Sequence, residues 1–330
     1  MKKLIFFGQG DNAAKTLKTI YESKLFNILL VVPRLKNYNS KKPVNNKFFD
    51  DGKLTSLSKK LKIKIVIEKK INSKLFIRKI KLLNSDLIIN YGHGSRFSRE
   101  LLNGAKFGCL NYHPGLLPYG RGPGALVGEI INGSKHIGRT CHLMDDNFDK
   151  GRIIRQNKYL VKDKNMGELE KTLMKDVDKF ILQSIKDVFM KKKLKKIREF
   201  GRYFPKFVEG DNYIDWNCTS LEIYRKIKSR LPLTPSLAFV KDGLEEIKIV
   251  KASIEKKIKP YISVNGQIID KSKRGILVKT KDTAIWIELI RNSKNSDIIP
   301  NFKIGTCFEK IDISFVINIL KSFRKIKSNE

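Results

Sequence analysis

The chain has 330 residues, 41% hydrophobic and 31% charged, and its 68 Lys and Arg against 33 Asp and Glu give a formal net charge of +35. This composition excludes a disordered chain, which lacks apolar side chains to bury, and the length suggests two domains. A surface this basic attracts phosphates, so nucleic acid, nucleotides or anionic lipid are natural partners, although Lys spread along the whole chain is also what a biased composition produces.

In chain order, KKLIFFG (2–8) is an apolar run closed by Gly8, too short for the core of a secretory signal, and reads as a strand. DNAAKTLKTIYES follows with Ala14, Leu17 and Ile20 at helical spacing. Between them Gly8, Gly10 and Ala13 fit G-x-G-x-x-A, a turn that can hold a dinucleotide pyrophosphate. No acid stands between Glu22 and Asp50 to grip a ribose, although Arg34 could meet a 2′-phosphate. The turn therefore reads first as tight β–α packing that needs small residues. FNILLVVP (26–33), LKIKIVI (61–67) and SDLIINYG (85–92) read as further strands, the first apolar as in a sheet covered on both faces. NMGELEKTLMKDVDKFILQSIKDVF (165–189) sets Leu169, Leu173, Val177, Phe180, Ile181, Ile185 and Val188 on one stripe, which predicts one long helix. Strand alternating with helix implies an α/β, Rossmann-like, doubly wound parallel sheet.

KKKLKKIREFGR (191–202) holds seven basic residues against Glu199 and reads as an exposed connector. CTSLEIYRKIKSRLP is a helix with a Thr219–Glu222 capping box, ended by Pro232. EEIKIVKAS, YISVNGQIID, GILVKT and AIWIELI are short strands separated by turns, as in a smaller C-terminal β-barrel of OB-like type. The expected organisation is a catalytic domain over 1–189, a basic linker over 190–207 and a barrel over 208–330.

The densest chemistry lies in LNYHPGLLPYGRGPGA, from Leu110 to Ala125. Asn111 and His113 alternate along a strand and so point the same way, at the sheet end where α/β folds bind ligands. The pro- and glycine-rich loop can wrap a flat ligand while fixing His113. Arg121 would anchor an anion or a backbone carbonyl, or form an ordinary loop salt bridge. About thirty residues on, GRTCHLMDDNFDKGRII offers Asp145, Asp146 and Asp149. An amide that donates to an oxyanion, an imidazole that moves a proton and a carboxylate that orients the imidazole and stabilises its charged form suit acyl transfer. Singly, each has a structural explanation: a capped loop, a bonded core histidine, a turn former.

Asn111-x-His113, LLP at 116–118, RG at 121–122, GRT at 138–140 and Asp149-x-Gly151 together resemble the folate-dependent formyltransferases. The resemblance extends through SDLIINYG to YIDWN and GQIIDKSKRGILVKTKD, nearly the whole chain. It implies a catalytic trio of Asn111, His113 and Asp149, with 10-formyltetrahydrofolate as donor. It also implies a donor pocket involving Asn90, Tyr91, Gly92, Leu116, Asp145 and Asp146. The acceptor it favours is initiator methionyl-tRNA, because RLKNYNSKKPVNNK (34–47) is a basic loop after the second strand. Arg34, Lys41, Lys42 and Arg121 would be its contacts, with KKKLKKIREFGR extending a phosphate-contacting track. Two solvated Lys-rich loops are the alternative. Pro114-Gly115 and Pro123-Gly124 depart from the tRNA-acting pattern, and HPG (113–115) and YFPK (203–206) look more like members that formylate nucleotide-linked amino sugars. A non-catalytic RNA-binding module is a further alternative, opposed by the intact trio.

His93 in YGHGS either shapes the donor-pocket turn or faces solvent, and His136 and His142 have no evident partner. Cys109, His113, Cys141 and His142 are types zinc accepts, but no C-x-x-C or H-x-x-x-H pair exists and no metal is expected. The four scattered cysteines suit a reducing cytoplasm, and no apolar run approaches the roughly 20 residues that span a bilayer.

Overall fold

In a computed structural model of the protein, residues 1–34, 52–190, 201–208, 210–240, 245–255, 262–292 and 295–309 are described. Lys41, Lys42 and the basic run 191–200 lie outside the described residues. The chain divides into two compact units. One comprises Met1–Glu129, Lys135–Lys162 and Leu169–Lys206, the other Ile130–Ser134, Asp163–Glu168 and Phe207–Glu330.

The first unit contains, in order, β1 (Lys2–Gly8), α1 (Gly10–Glu22), β2 (Phe26–Pro33), α2 (Gly52–Lys60), α3 (Lys74–Leu82), β3 (Leu87–Tyr91) and α4 (Arg99–Leu102). There follow β4 (Cys109–His113), α5 (Ala125–Ile131), β5 (His136–Leu143), β6 (Ile153–Leu160), α6 (Met166–Met174) and α7 (Val177–Phe189). The sheet runs β2-β1-β3-β4-β5-β6. Its first four strands are parallel, and β5 and β6 are added antiparallel. Alternation along each strand feeds two cores. Leu4, Phe6, Ile89 and Tyr112 meet Leu17 and Ile181 on one face. Ile5, Phe7, Ile88 and Cys109 meet Phe76 and Leu101 on the other. Each large apolar side chain so buried contributes about 1.5–3 kcal/mol. This two-sided covering is why these strands read as apolar runs in the sequence.

Two expectations need correction. LKIKIVI is not a strand: it meets the sheet only through an isolated bridge between Val31 and Ile65. Its charges alternate with its apolar residues, so only one face suits burial. The long helix is broken into α6 and α7, because Asp176 adopts a left-handed φ of 50° between them. The apolar stripe spans the break, which hides it from periodicity. At GQGDNA, a Cβ on Gly8 would strike Phe6 and Ala13, so the small residues serve close strand–helix packing.

In the second unit, α8 (Ser220–Arg230) starts at Thr219, whose hydroxyl accepts from the Glu222 N–H at 3.3 Å while the Glu222 carboxylate accepts from the Thr219 N–H at 2.8 Å. This is the capping box read from the sequence. Strands β7 (Ser236–Val240), β8 (Glu245–Ile254), β9 (Ile268–Ser272), β10 (Gly275–Lys279), β11 (Ala284–Arg291), β12 (Asp297–Ile298) and β13 (Phe308–Glu309) form an antiparallel sheet in the order β13-β7-β8-β11-β10-β9, with β12 on β11. Hydrogen bonds of Gly266 and Ile268 with Gly305, Thr306 and Phe308 join its two ends, so the barrel closes. Trp216 stacks on Phe308 inside it, ring centroids 5.4 Å apart.

Candidate active site

Strand β4 presents Asn111 and His113 on one face, while the intervening Tyr112 stacks against Tyr91 in the opposite core. Register then builds a row across three strands: Asn90 of β3 lies beside Asn111, and Asn111 beside His142 of β5. The hydrogen-bond polarity of this row is fixed from one end. The backbone N–H of His93 donates to Asn90 Oδ1 at 3.2 Å, so Asn90 Nδ2 must be the group that donates to Asn111 Oδ1, at 2.9 Å. Asn111 Nδ2 is thereby turned to His142 Nε2, 3.1 Å away, with its second N–H left for the cavity. His142 accepts that bond in the tautomer that carries its proton on Nδ1, towards the Leu143 carbonyl at 3.4 Å.

His113 is buried, and its Nε2–H donates to the Gly120 carbonyl at 2.5 Å. That bond leaves Nδ1 as the basic nitrogen, 3.7 Å from Asp149 Oδ2. The other carboxylate oxygen lies 3.5 Å from His142 Nε2. A neutral His142 accepts from Asn111; protonated on both nitrogens, it would donate to Asp149 instead. Asp149 sits at a left-handed φ of 54°, held by the Gly122 N–H, which donates to Oδ2 at 2.8 Å. Burial alone would raise the Asp149 carboxyl, but His142, the His113 imidazole and the Gly122 N–H outweigh it and hold the group well below the ordinary carboxylate range. Burial dominates at His113 and lowers it, while Asp149 and the Gly120 carbonyl pull the other way. The pair at neutral pH is thus a neutral imidazole beside a carboxylate.

The surrounding loops explain the motif letters. Thr140 of GRT donates its hydroxyl to the Gly115 carbonyl at 2.7 Å and accepts from the Leu117 N–H at 3.3 Å, stapling the HPGLLP loop to β5. A Cβ on Gly115 would overlap His113, and one on Gly151 would overlap the Leu143 carbonyl, so the glycines of HPG and Asp-x-Gly are steric requirements. Arg139 of the same GRT is structural: its guanidinium donates to the carbonyls of Leu173 and Lys175 and lies 4.5 Å from the Phe180 ring centroid.

A cavity of about 340 Å³ lies over this face, lined among others by Asn111, His113, His142, Asp149, Phe148 and Tyr203. Of the sequence-predicted donor residues, Asn90, Gly92, Asp145 and Asp146 also line it. Asp146 is paired with Arg99 at 3.3 Å. Tyr91 does not line it, because alternation sends its ring into the core with Tyr112. Leu116 does not either; its side chain packs over Gly138. Arg34 is not among the lining residues; its guanidinium lies against Gly94, which is. Arg121 resolves as a backbone anchor, donating to the Gly201 carbonyl. His93 does not face solvent: it is 2% exposed and packs edge-on against Phe7, 5.5 Å away.

His142 and Met144 are cavity residues that sequence reasoning passed over. The available signal was the alternation of HIGRTCHL, which puts Thr140 and His142 on one face. Among the described residues no group of three His, Cys, Asp or Glu could hold a metal ion, and no helix is long and apolar enough to cross a membrane.

Residues 1–185 match the family described as formyl transferase, and residues 206–301 match its C-terminal domain. The chain is 26% identical to a methionyl-tRNA formyltransferase of Caldicellulosiruptor saccharolyticus, over 91% of this chain and 97% of that one. It is 30% identical to the methionyl-tRNA formyltransferase of Clostridioides difficile, over 88% and 92%. In fold it is similar to the N-formyltransferase of Helicobacter canadensis solved with folinic acid and dTDP-3-aminofucose, with a TM-score of 0.62, 16% identity, and coverage of 87% of this chain and 99% of that one.

Proposed function

Since the chain belongs to the formyl transferase family, we propose that it moves a formyl group from 10-formyltetrahydrofolate to a primary amine, with Asn111, His113 and Asp149 as its catalytic residues. The observation that carries this reading is the convergence of these three side chains on one cavity. The neutral acceptor amine adds to the formyl carbon, and the oxyanion accepts from the free N–H of Asn111, an interaction worth about 3 kcal/mol. His113 Nδ1 takes the amine proton, and Asp149 stabilises the imidazolium. The bond from the formyl carbon to the folate nitrogen then breaks, the carbonyl reforms, and the proton passes to the departing nitrogen. Gly120, not Asp149, orients the ring; Asp149 supports its charge.

The acceptor we favour is initiator methionyl-tRNA. Similarity over most of the chain to two methionyl-tRNA formyltransferases supports it, as do the net charge of +35 and Arg34, packed against the cavity-lining Gly94. A nucleotide-linked amino sugar is the second reading, favoured because Pro114 of HPG and Tyr203 of YFPK, the segments that look like the amino-sugar members, both line the cavity. The purified protein, given 10-formyltetrahydrofolate with charged initiator tRNA or with a panel of nucleotide amino sugars, should formylate the tRNA. Formylation of a sugar alone would move the assignment to the second reading, and no transfer to any amine would refute both.

A further inference from the structure

A second, larger cavity of about 860 Å³ lies in the first unit and shares only Met144 with the first. It opens at the starts of β3, β4 and β6. Its rim carries Lys81, Lys106 and Arg152, and no Asp or Glu is among its lining residues. None of the three cations makes an ion pair among the described residues, in a protein where other surface cations do. The second observation is Ser85: it lines the cavity at 3% exposure, and its hydroxyl has no hydrogen-bond partner among the described residues. A buried hydroxyl without a partner costs about 1–3 kcal/mol, which a ligand oxygen would offset.

The position of these groups is built into the backbone. The Lys106 N–H donates to the Ser85 carbonyl at 3.1 Å and the Phe107 N–H to the Asp86 carbonyl at 2.7 Å, so Ser85 and Lys106 are held side by side. The Lys106 ammonium lies 5.9 Å from the centroid of the Phe107 ring. Phe107, Leu143, Ile154 and Val188 supply an apolar part of the lining, beside Asn84 and Asn103. Three cations and a hydroxyl that share one cavity with an apolar surface, in a volume within the usual range for small-molecule sites, match a flat apolar body carrying a phosphate.

We propose that this cavity binds an organic phosphate of the nucleotide class, with its phosphate at Lys81, Lys106, Arg152 and Ser85 and its base on the apolar wall. The site is separate from the proposed reaction cavity, so its test does not depend on formyl transfer. Calorimetric titration of the full chain with AMP and ATP, in about 0.15 M salt to screen non-specific attraction, should give one bound nucleotide per chain. Adenosine and tripolyphosphate, each holding half of the recognised chemistry, should bind at least about ten-fold more weakly. A Lys106→Glu, Arg152→Glu double variant should lose about ten-fold or more, and Ser85→Ala a smaller share, while a Lys64→Glu, Lys158→Glu control of equal charge change keeps the affinity. Thermal melting would verify that each variant is folded, and if the double variant fails this check, Lys106→Gln and Arg152→Gln singly take its place. Failure of AMP and ATP to bind, equal losses in the rim and control variants, or tripolyphosphate binding as tightly as ATP would each overturn the assignment.

Discussion

Replacing Asp149 by Asn tests the division of labour in the site most sharply. The change is nearly isosteric, Asn tolerates the left-handed φ of 54°, and its amide oxygen can still accept from the Gly122 N–H, so the loop should keep its shape. What is lost is a negative charge 3.7 Å from His113 Nδ1. At an effective dielectric near 20, an imidazolium–carboxylate pair at about 4 Å is worth about 4 kcal/mol, or roughly a thousand-fold in the step where His113 holds the proton. Single-turnover formyl transfer should therefore slow by about that factor, with donor affinity changed little. The pH profile supplies an independent check. Burial lowers His113 and Asp149 opposes it, so removing Asp149 leaves only the Gly120 carbonyl against burial, and the acid limb of kcat/KM should move to lower pH as the plateau falls. A loss below about ten-fold, or an acid limb that stays in place, would refute the proposed support of the imidazolium.

Asn111→Ala should lower kcat by about 10²–10³ and also lower the melting temperature, since it removes the oxyanion donor and leaves the buried Asn90 Nδ2 without its acceptor, a cost of about 1–3 kcal/mol; retained turnover would sink the oxyanion role. His93, with neither ring nitrogen hydrogen-bonded among the described residues, is pulled down to about 4 by burial and by Arg34. Between pH 6.5 and about 4 the unfolded chain binds a proton there that the folded chain does not, so stability falls with pH through that window, by about 3 kcal/mol in all. His93→Phe should abolish that share of the acid loss, as read by denaturant titrations at pH 7 and pH 4. Gly151→Ala forces a Cβ onto the Leu143 carbonyl and should cost about 1–3 kcal/mol of stability together with most activity; a wild-type melting curve would contradict the steric account.

Much of this protein is legible in the sequence because it is encoded locally. Strand alternation puts Asn111 and His113 on one face, apolar runs mark a sheet covered on both sides, and Thr219 three residues before Glu222 marks where α8 begins. Such features depend on neighbours within a few residues, and backbone geometry turns them directly into structure. Tyr91 shows how a one-residue step decides the outcome: it adjoins Asn90, yet the same alternation sends its ring into the core. Other features needed the folded chain. The antiparallel register of β5 on β4 brings His142 to Asn111, and the row from His93 through Asn90 fixes which way the Asn111 amide points. The Gly120 carbonyl, and not the expected carboxylate, orients His113. The break at Asp176 is likewise invisible to periodicity, since the apolar stripe continues across it. Pairing register and loop closure join residues tens of positions apart, and only tertiary contacts choose among the registers that local patterns allow.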